Sequence, residues 1–158
     1  MNGKERLAMR GALLMVAAVL LAACGERGDA DGPSWEELAH GEAIYRAECA
    51  QCHGANLEGQ PDWRVRKADG KLPAPPHDAS GHTWHHSREQ LFAIVKFGMV
   101  PPNAPEGYVS DMPAYGAKLS PAQIHAVLAY IESRWPPEVI TQRKERFAQA
   151  TAENATKK

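Results

Sequence analysis

Apolar positions recur at helical intervals in three stretches of this 158-residue chain, and each stretch opens on a capping signal. In the first, Leu38, Gly41, Tyr45 and the Cys49/Cys52 pair follow one another at three or four residues. Ahead of them Ser34-Trp35-Glu36-Glu37 has the form in which a serine hydroxyl accepts from a free backbone N–H while a glutamate reaches back to the cap. The second has Ser87-Arg88-Glu89-Gln90, then Leu91, Ile94 and Val95, with a stop at Gly98, which predicts a helix of about three turns. Pro101, Pro102 and Pro105 exclude helix until Ser120, where Ser-Pro-Ala-Gln supplies a cap, a proline at the first helical position and a glutamine to close the box. Ile124, Val127, Leu128 and Ile131 then form an i, i+3, i+4, i+7 stripe that ends before Pro136-Pro137. No segment alternates with period two. The pattern therefore predicts an all-α domain of three main short helices and long loops.

The ends of the chain read differently. Lys4, Arg6 and Arg10 precede an uncharged apolar run, Gly11 to Ala23, which is too short for a membrane-spanning helix and has the form of an export signal. It closes on Leu21-Ala22-Ala23-Cys24, which resembles the lipobox of bacterial lipoproteins. That resemblance implies a signal peptide over 1–23, lipidation at Cys24 and anchoring on the periplasmic side of a bacterial membrane. Residues 24–33, polar and rich in Gly and Asp, read as a flexible tether. The folded domain is expected over 34–135. Residues 136–158 read as a solvated polar tail with partial helical tendency, in which Val139, Ile140 and Phe147 pack locally. Cleavage before Cys24 removes three basic residues and one acidic residue, leaving 15 Lys and Arg against 18 Asp and Glu, a net charge of −3. Nothing in that balance points to nucleic acid.

Three small helices bury too little apolar surface to offset the entropy of so much loop, so the fold calls for a metal, disulfides or a large cofactor. With Cys24 lipidated, Cys49 and Cys52 are the remaining pair, and no disulfide framework exists. The pair belongs to "CAQCH", residues 49–53. Three chemistries use such a pattern. A redox disulfide is expected at the start of a helix in a βαβ setting, which a strand-free chain does not offer. Zinc needs further ligands, and His77, His82, His85 and His86 fit none of the usual paired spacings. Covalent haem attachment needs two cysteines and a histidine gathered towards one side of a helix, as C-x-x-C-H provides. Residues 54–86, Gly- and Pro-rich but carrying apolar residues and Trp, suit a loop wrapped round such a group.

Helix, "CAQCH", Pro-bearing loop, capped helix, "MPAYG" and a last helix with "LAYIESRW" occur here in an order that resembles the single-haem class I cytochrome c family, over about residues 34–135. The resemblance implies the cytochrome c fold around one covalent haem c, with thioethers at Cys49 and Cys52. It also implies crossed terminal helices, with Gly41 and Tyr45 meeting Leu128 and Tyr130 or Ile131, and iron held by His53 and by Met112 of the Met-Pro pair. Met99 is the other methionine after the haem motif. A proline carbonyl, Pro75 or Pro76, is expected to orient His53. Trp63, Arg64 and Trp84 are candidates for contact with the haem propionates. The implied function is electron carriage between redox proteins, such as a quinol-oxidising complex and a terminal oxidase or reductase. Two alternatives remain: a periplasmic copper-handling protein using His82, His85 and His86, and a haem sensor with a labile sixth ligand.

Overall fold

The computed structural model describes residues 32–156. The expected signal peptide, Cys24 and most of the expected tether lie outside them. Ser34 caps the first helix, α1 (Trp35–Ile44), accepting from the Glu37 N–H at 3.1 Å, so the serine half of the expected capping box is made. The chain then widens into a π-helical turn, Tyr45–Cys49, in which the Ala50 N–H reaches back five residues to the Tyr45 carbonyl. It resumes as the short helix α2 (Ala50–His53), so the Cys/His motif finishes this continuous helical rod.

After a long loop come a single 3₁₀ turn (Thr83–His85) and α3 (Arg88–Phe97), which Ser87 and Gln90 cap reciprocally and Gly98 stops. α4 (Pro121–Ser133) opens on the same reciprocal box, between Ser120 and Gln123, with Pro121 at its first position. Among the described residues no strand forms, and the fold is all-α. No helix among them is long and apolar enough to cross a membrane.

α1 crosses α4 where α1 has no side chain. A Cβ on Gly41 would stand 2.7 Å from the Ala126 carbonyl carbon and 2.9 Å from Tyr130 Cβ, so the two backbones touch only because residue 41 is glycine. The glycine meets Tyr130, as expected, and Ala126, two residues before the expected Leu128. Tyr45 packs on Tyr130 with ring centroids 5.5 Å apart. Around this crossing Ile44, Ile124, Val127, Leu128, Ile131 and Trp135 make the core.

The stretch expected to be a polar tail with partial helical tendency forms α5 (Pro137–Thr156), the longest helix among the described residues. Pro137, adjacent to the stop of α4, also takes the first position of α5, where its missing N–H costs nothing. Val139 is buried and Ile140 packs on the core. Arg143 then reaches the 3₁₀ turn, donating to the carbonyls of Trp84 (3.0 Å) and His86. Its other nitrogen lies 3.4 Å from Glu132, which also takes Arg88 at 2.6 Å. Thus α5 closes over the 84–86 segment, and the domain has four principal helices where three were expected.

Candidate haem-binding site

His53 ends α2, is buried, and is oriented by a neighbouring loop. Gly54 turns the chain back at a φ of +82°, so that the Gly59 N–H donates to the His53 carbonyl at 2.8 Å. The Tyr45 hydroxyl donates to the Gly54 carbonyl at 2.9 Å and fixes the same reversal from α1's side. Pro75-Pro76 passes over this turn. A Cβ on Gly59 would lie 2.7 Å from the Pro75 carbonyl carbon, which is why the strap can come so close.

Of the two proline carbonyls the sequence offered, Pro75 is the one used: His53 Nδ1 sits 2.8 Å from its oxygen. A carbonyl can only accept, so Nδ1 carries the proton and Nε2 keeps its lone pair. Burial lowers the His53 pKa, against the opposing effect of the Pro75 bond, and favours the neutral ring. A neutral imidazole with one nitrogen held and the other free is the form that ligates iron.

Cys49 and Cys52 are both free thiols, the first partly buried and the second exposed. Burial, then Glu48 and Cys52, pushes the Cys49 thiol up to about 12. Disulfide exchange needs the thiolate, which this environment disfavours, whereas two thiols three positions apart on the helical rod that ends at His53 fit a porphyrin held by thioethers. One more observation fits a bound group: the Trp84 Nε1–H is the one buried side-chain donor without a hydrogen-bond partner among the described residues. An orphaned donor of this kind suits a propionate oxygen.

Met112 and Met99 line one cavity of about 390 Å³ with Lys71, Phe97, Tyr108 and Ala114. The Met112 loop is pinned at its far end, where the Tyr115 and Gly116 N–H groups donate to the Val95 and Lys96 carbonyls at 2.9 Å. Trp63 and Arg64 pair with one another, the guanidinium 4.0 Å over the indole, and Trp63 stacks on His82 at 5.4 Å. His82 meets His86 edge-on at 5.3 Å, while His85 is turned to Trp84 (3.8 Å between centroids) and accepts from Arg146 at 2.9 Å. Among the described residues no three His, Cys, Asp or Glu side chains gather as a group that could hold a metal ion, and His82, His85 and His86 are not brought together as three.

Several residues at the site carried no legible signal. His77, considered above only as a spare zinc ligand, stacks on the His53 ring at 3.9 Å and an interplanar angle of 21°. Burial, followed by His53 and His82, holds its pKa well below the usual imidazole value. Trp135 Nε1 donates to the His77 carbonyl at 2.8 Å from beyond the end of α4. A tryptophan closing a helical stripe reads as core filling, and only the folded chain shows its polar edge in use.

Comparison with known proteins agrees with this geometry. Residues 36–131 match the family described as Cytochrome C oxidase, cbb3-type, subunit III. Cytochrome c-551 of Bacillus subtilis is 29% identical over 117 residues, covering 70% of this chain and 88% of its own length. Cytochrome c-555 of Prosthecochloris aestuarii is 28% identical over 85 residues, 50% of this chain and 84% of that protein. The cbb3-type cytochrome c oxidase subunit FixP of Sinorhizobium medicae is 25% identical over 115 residues, and there the match covers 70% of this chain but only 36% of the relative. The chain thus spans about a third of the length of that subunit. No solved structure matches. Since the family match takes in more than half of the sequence and coincides with the helices that build the site, the chain belongs to the cbb3-type cytochrome c oxidase subunit III family, as a class I c-type cytochrome whose cofactor is covalent haem c.

Proposed function

We propose that this protein is a single-haem electron carrier, tethered through lipid at Cys24 on the periplasmic side of a bacterial membrane. It would take electrons from a quinol-oxidising complex and pass them to a terminal oxidase or reductase. Bound haem c supplies a one-electron iron couple. In this reading Cys49 and Cys52 would hold the porphyrin, and His53, through its free Nε2, and the Met112 thioether would be the iron's protein ligands. The observation that carries it is the His53 Nδ1 to Pro75 bond of 2.8 Å beside two free thiols, since it fixes tautomer and aim together. Sulfur as sixth ligand raises the potential and leaves no open position for gases or peroxide. The lipid anchor rests on the Leu21–Cys24 sequence.

A second reading keeps the same site but places it within an oxidase assembly, as the names of the family and of the FixP relatives suggest. The difference lies in partner, not in chemistry.

Spectra of the purified holoprotein test the site. Wild type should show the weak sulfur-to-iron band at the red end of the oxidised spectrum and bind carbon monoxide poorly when reduced. Met112→Ala should lose the band and bind carbon monoxide, and Met99→Ala should do neither. Ready carbon monoxide binding by the wild type would favour the sensor alternative and sink the carrier. Partition into detergent by wild type and not by Cys24→Ser tests the anchor. Co-purification with oxidase subunits from solubilised membranes would favour the second reading.

A further inference from the structure

We propose that His77 is a positioning residue for the haem ligand: by lying flat on the His53 ring it fixes the plane of that imidazole and adds electron density beside the iron. This rests on the haem reading above, with His53 as ligand. The His53 ring is aimed by its Nδ1 hydrogen bond to Pro75, which leaves only a small rocking of its plane. A second planar ring 3.9 Å away, inclined by 21°, restrains that rocking from one face.

His77 itself is held on every side. Its backbone N–H donates to the Leu57 carbonyl at 2.8 Å, and its own carbonyl accepts from Trp135 Nε1 at 2.8 Å. Its Nδ1 is 2.8 Å from the Thr83 hydroxyl oxygen, and that hydroxyl points its proton at the Pro76 carbonyl, 3.4 Å away. The Thr83 oxygen therefore accepts from Nδ1–H, which sets the His77 tautomer. The Tyr45 ring meets His77 edge-on at 6.2 Å. An apolar side chain would fill this space at lower desolvation cost. The hydrogen-bonded relay gives an imidazole here a use that packing alone does not.

The face of an aromatic ring carries negative charge density. Stacked on an iron ligand it favours the more positive, oxidised state, so removing it should raise the reduction potential. The test compares holoproteins of the wild type, His77→Leu, His77→Phe and Thr83→Val. The readouts are potentiometric titration and the spread of paramagnetically shifted haem methyl resonances in the oxidised protein, which reports the plane of the axial imidazole. His77→Leu should change the methyl pattern and raise the ratio of reduced to oxidised protein at the wild-type midpoint at least about threefold, a shift of about 28 mV on a scale of 59 mV per tenfold. His77→Phe keeps a flat ring and should restore most of both. Thr83→Val frees Nδ1 and should move both readouts in the same direction by less. A His77→Leu protein with wild-type potential and methyl pattern overturns the proposal, as does His77→Phe behaving like leucine. Should His77→Leu fail to retain haem, Thr83→Val decides, and unchanged readouts there overturn it. Failure of the underlying haem reading would show separately, as a wild-type protein without a c-type spectrum.

Discussion

The Tyr115 hydroxyl donates to the Glu48 carbonyl oxygen across 2.8 Å, joining the loop that carries Met112 to the residue just before Cys49. Lys118 adds an ion pair to the Glu48 carboxylate at 2.6 Å. The loop and the helical rod are thus bound together, and the two candidate ligands, His53 and Met112, are held by separate anchorages.

Tyr115→Phe keeps the ring and removes one hydrogen bond. It should lower holoprotein stability by about 1 kcal/mol, the usual net worth of such a bond, with little change in haem content. Denaturant titration followed by haem absorbance measures it. Loss of the red-end sulfur band well before global unfolding is expected in the variant and not in the wild type.

Burial, then the charges near Cys49 and Glu48, pushes the Tyr115 phenol up to about 12. An unfolded tyrosine ionises near its ordinary value of 10. Between those values the unfolded chain loses the proton and the folded one keeps it, so stability falls as pH rises from about 10 to about 12. Below 10 this group contributes no pH dependence. Unfolding midpoints measured from pH 8 to 12 should show the decline, and Tyr115→Phe should lessen it, the remainder coming from Tyr45, whose phenol burial also pushes up.

Gly41→Ala puts a methyl group against the Ala126 backbone, which cannot move aside as a side-chain tip would. The α1/α4 crossing must open, at a cost of about 3 kcal/mol. Thermal unfolding of the holoprotein checks this. A variant within a few tenths of a kcal/mol of wild type would mean that the helices do not cross at this point.

Arg143→Ala removes two bonds to carbonyls of the 84–86 turn and the contact with Glu132, a guanidinium only 12% exposed. Glu132 keeps Arg88, so no buried charge is stranded. The expected loss is about 2 kcal/mol, concentrated in α5. Hydrogen exchange should show α5 amides losing protection before those of α4.

Much of this was legible because capping and periodicity are local. Ser87/Gln90 and Ser120/Gln123 form the boxes their letters spell, and the motif Cys49–His53 sits on a helix end, where its spacing puts it. What escaped depended on contacts distant in sequence. Pro75 and Pro76 are equivalent on paper, and only the path over Gly59 decides between them. His77 and His53 stand 24 positions apart and meet through a loop with no period. α5 shows in the sequence only as a partial helical tendency because Pro136-Pro137 signals a stop and a start alike; Val139 and Ile140 do pack as expected, but the polar composition masks Arg143. Sequence rules weigh the average face of a helix, and this one docks through its exceptions.

The π-helical turn at Tyr45–Cys49 acts as an angular offset. One residue more than an α-helix needs is accommodated there, and each residue of an α-helix advances the chain by about 100°. Were the same five residues wound as plain α-helix, α1 could still lay Gly41 against α4, yet everything beyond would arrive rotated by nearly that amount, with the cysteines and His53 facing another quarter of the molecule. The register between scaffold and prosthetic group is therefore stored in this one swelling of the helix.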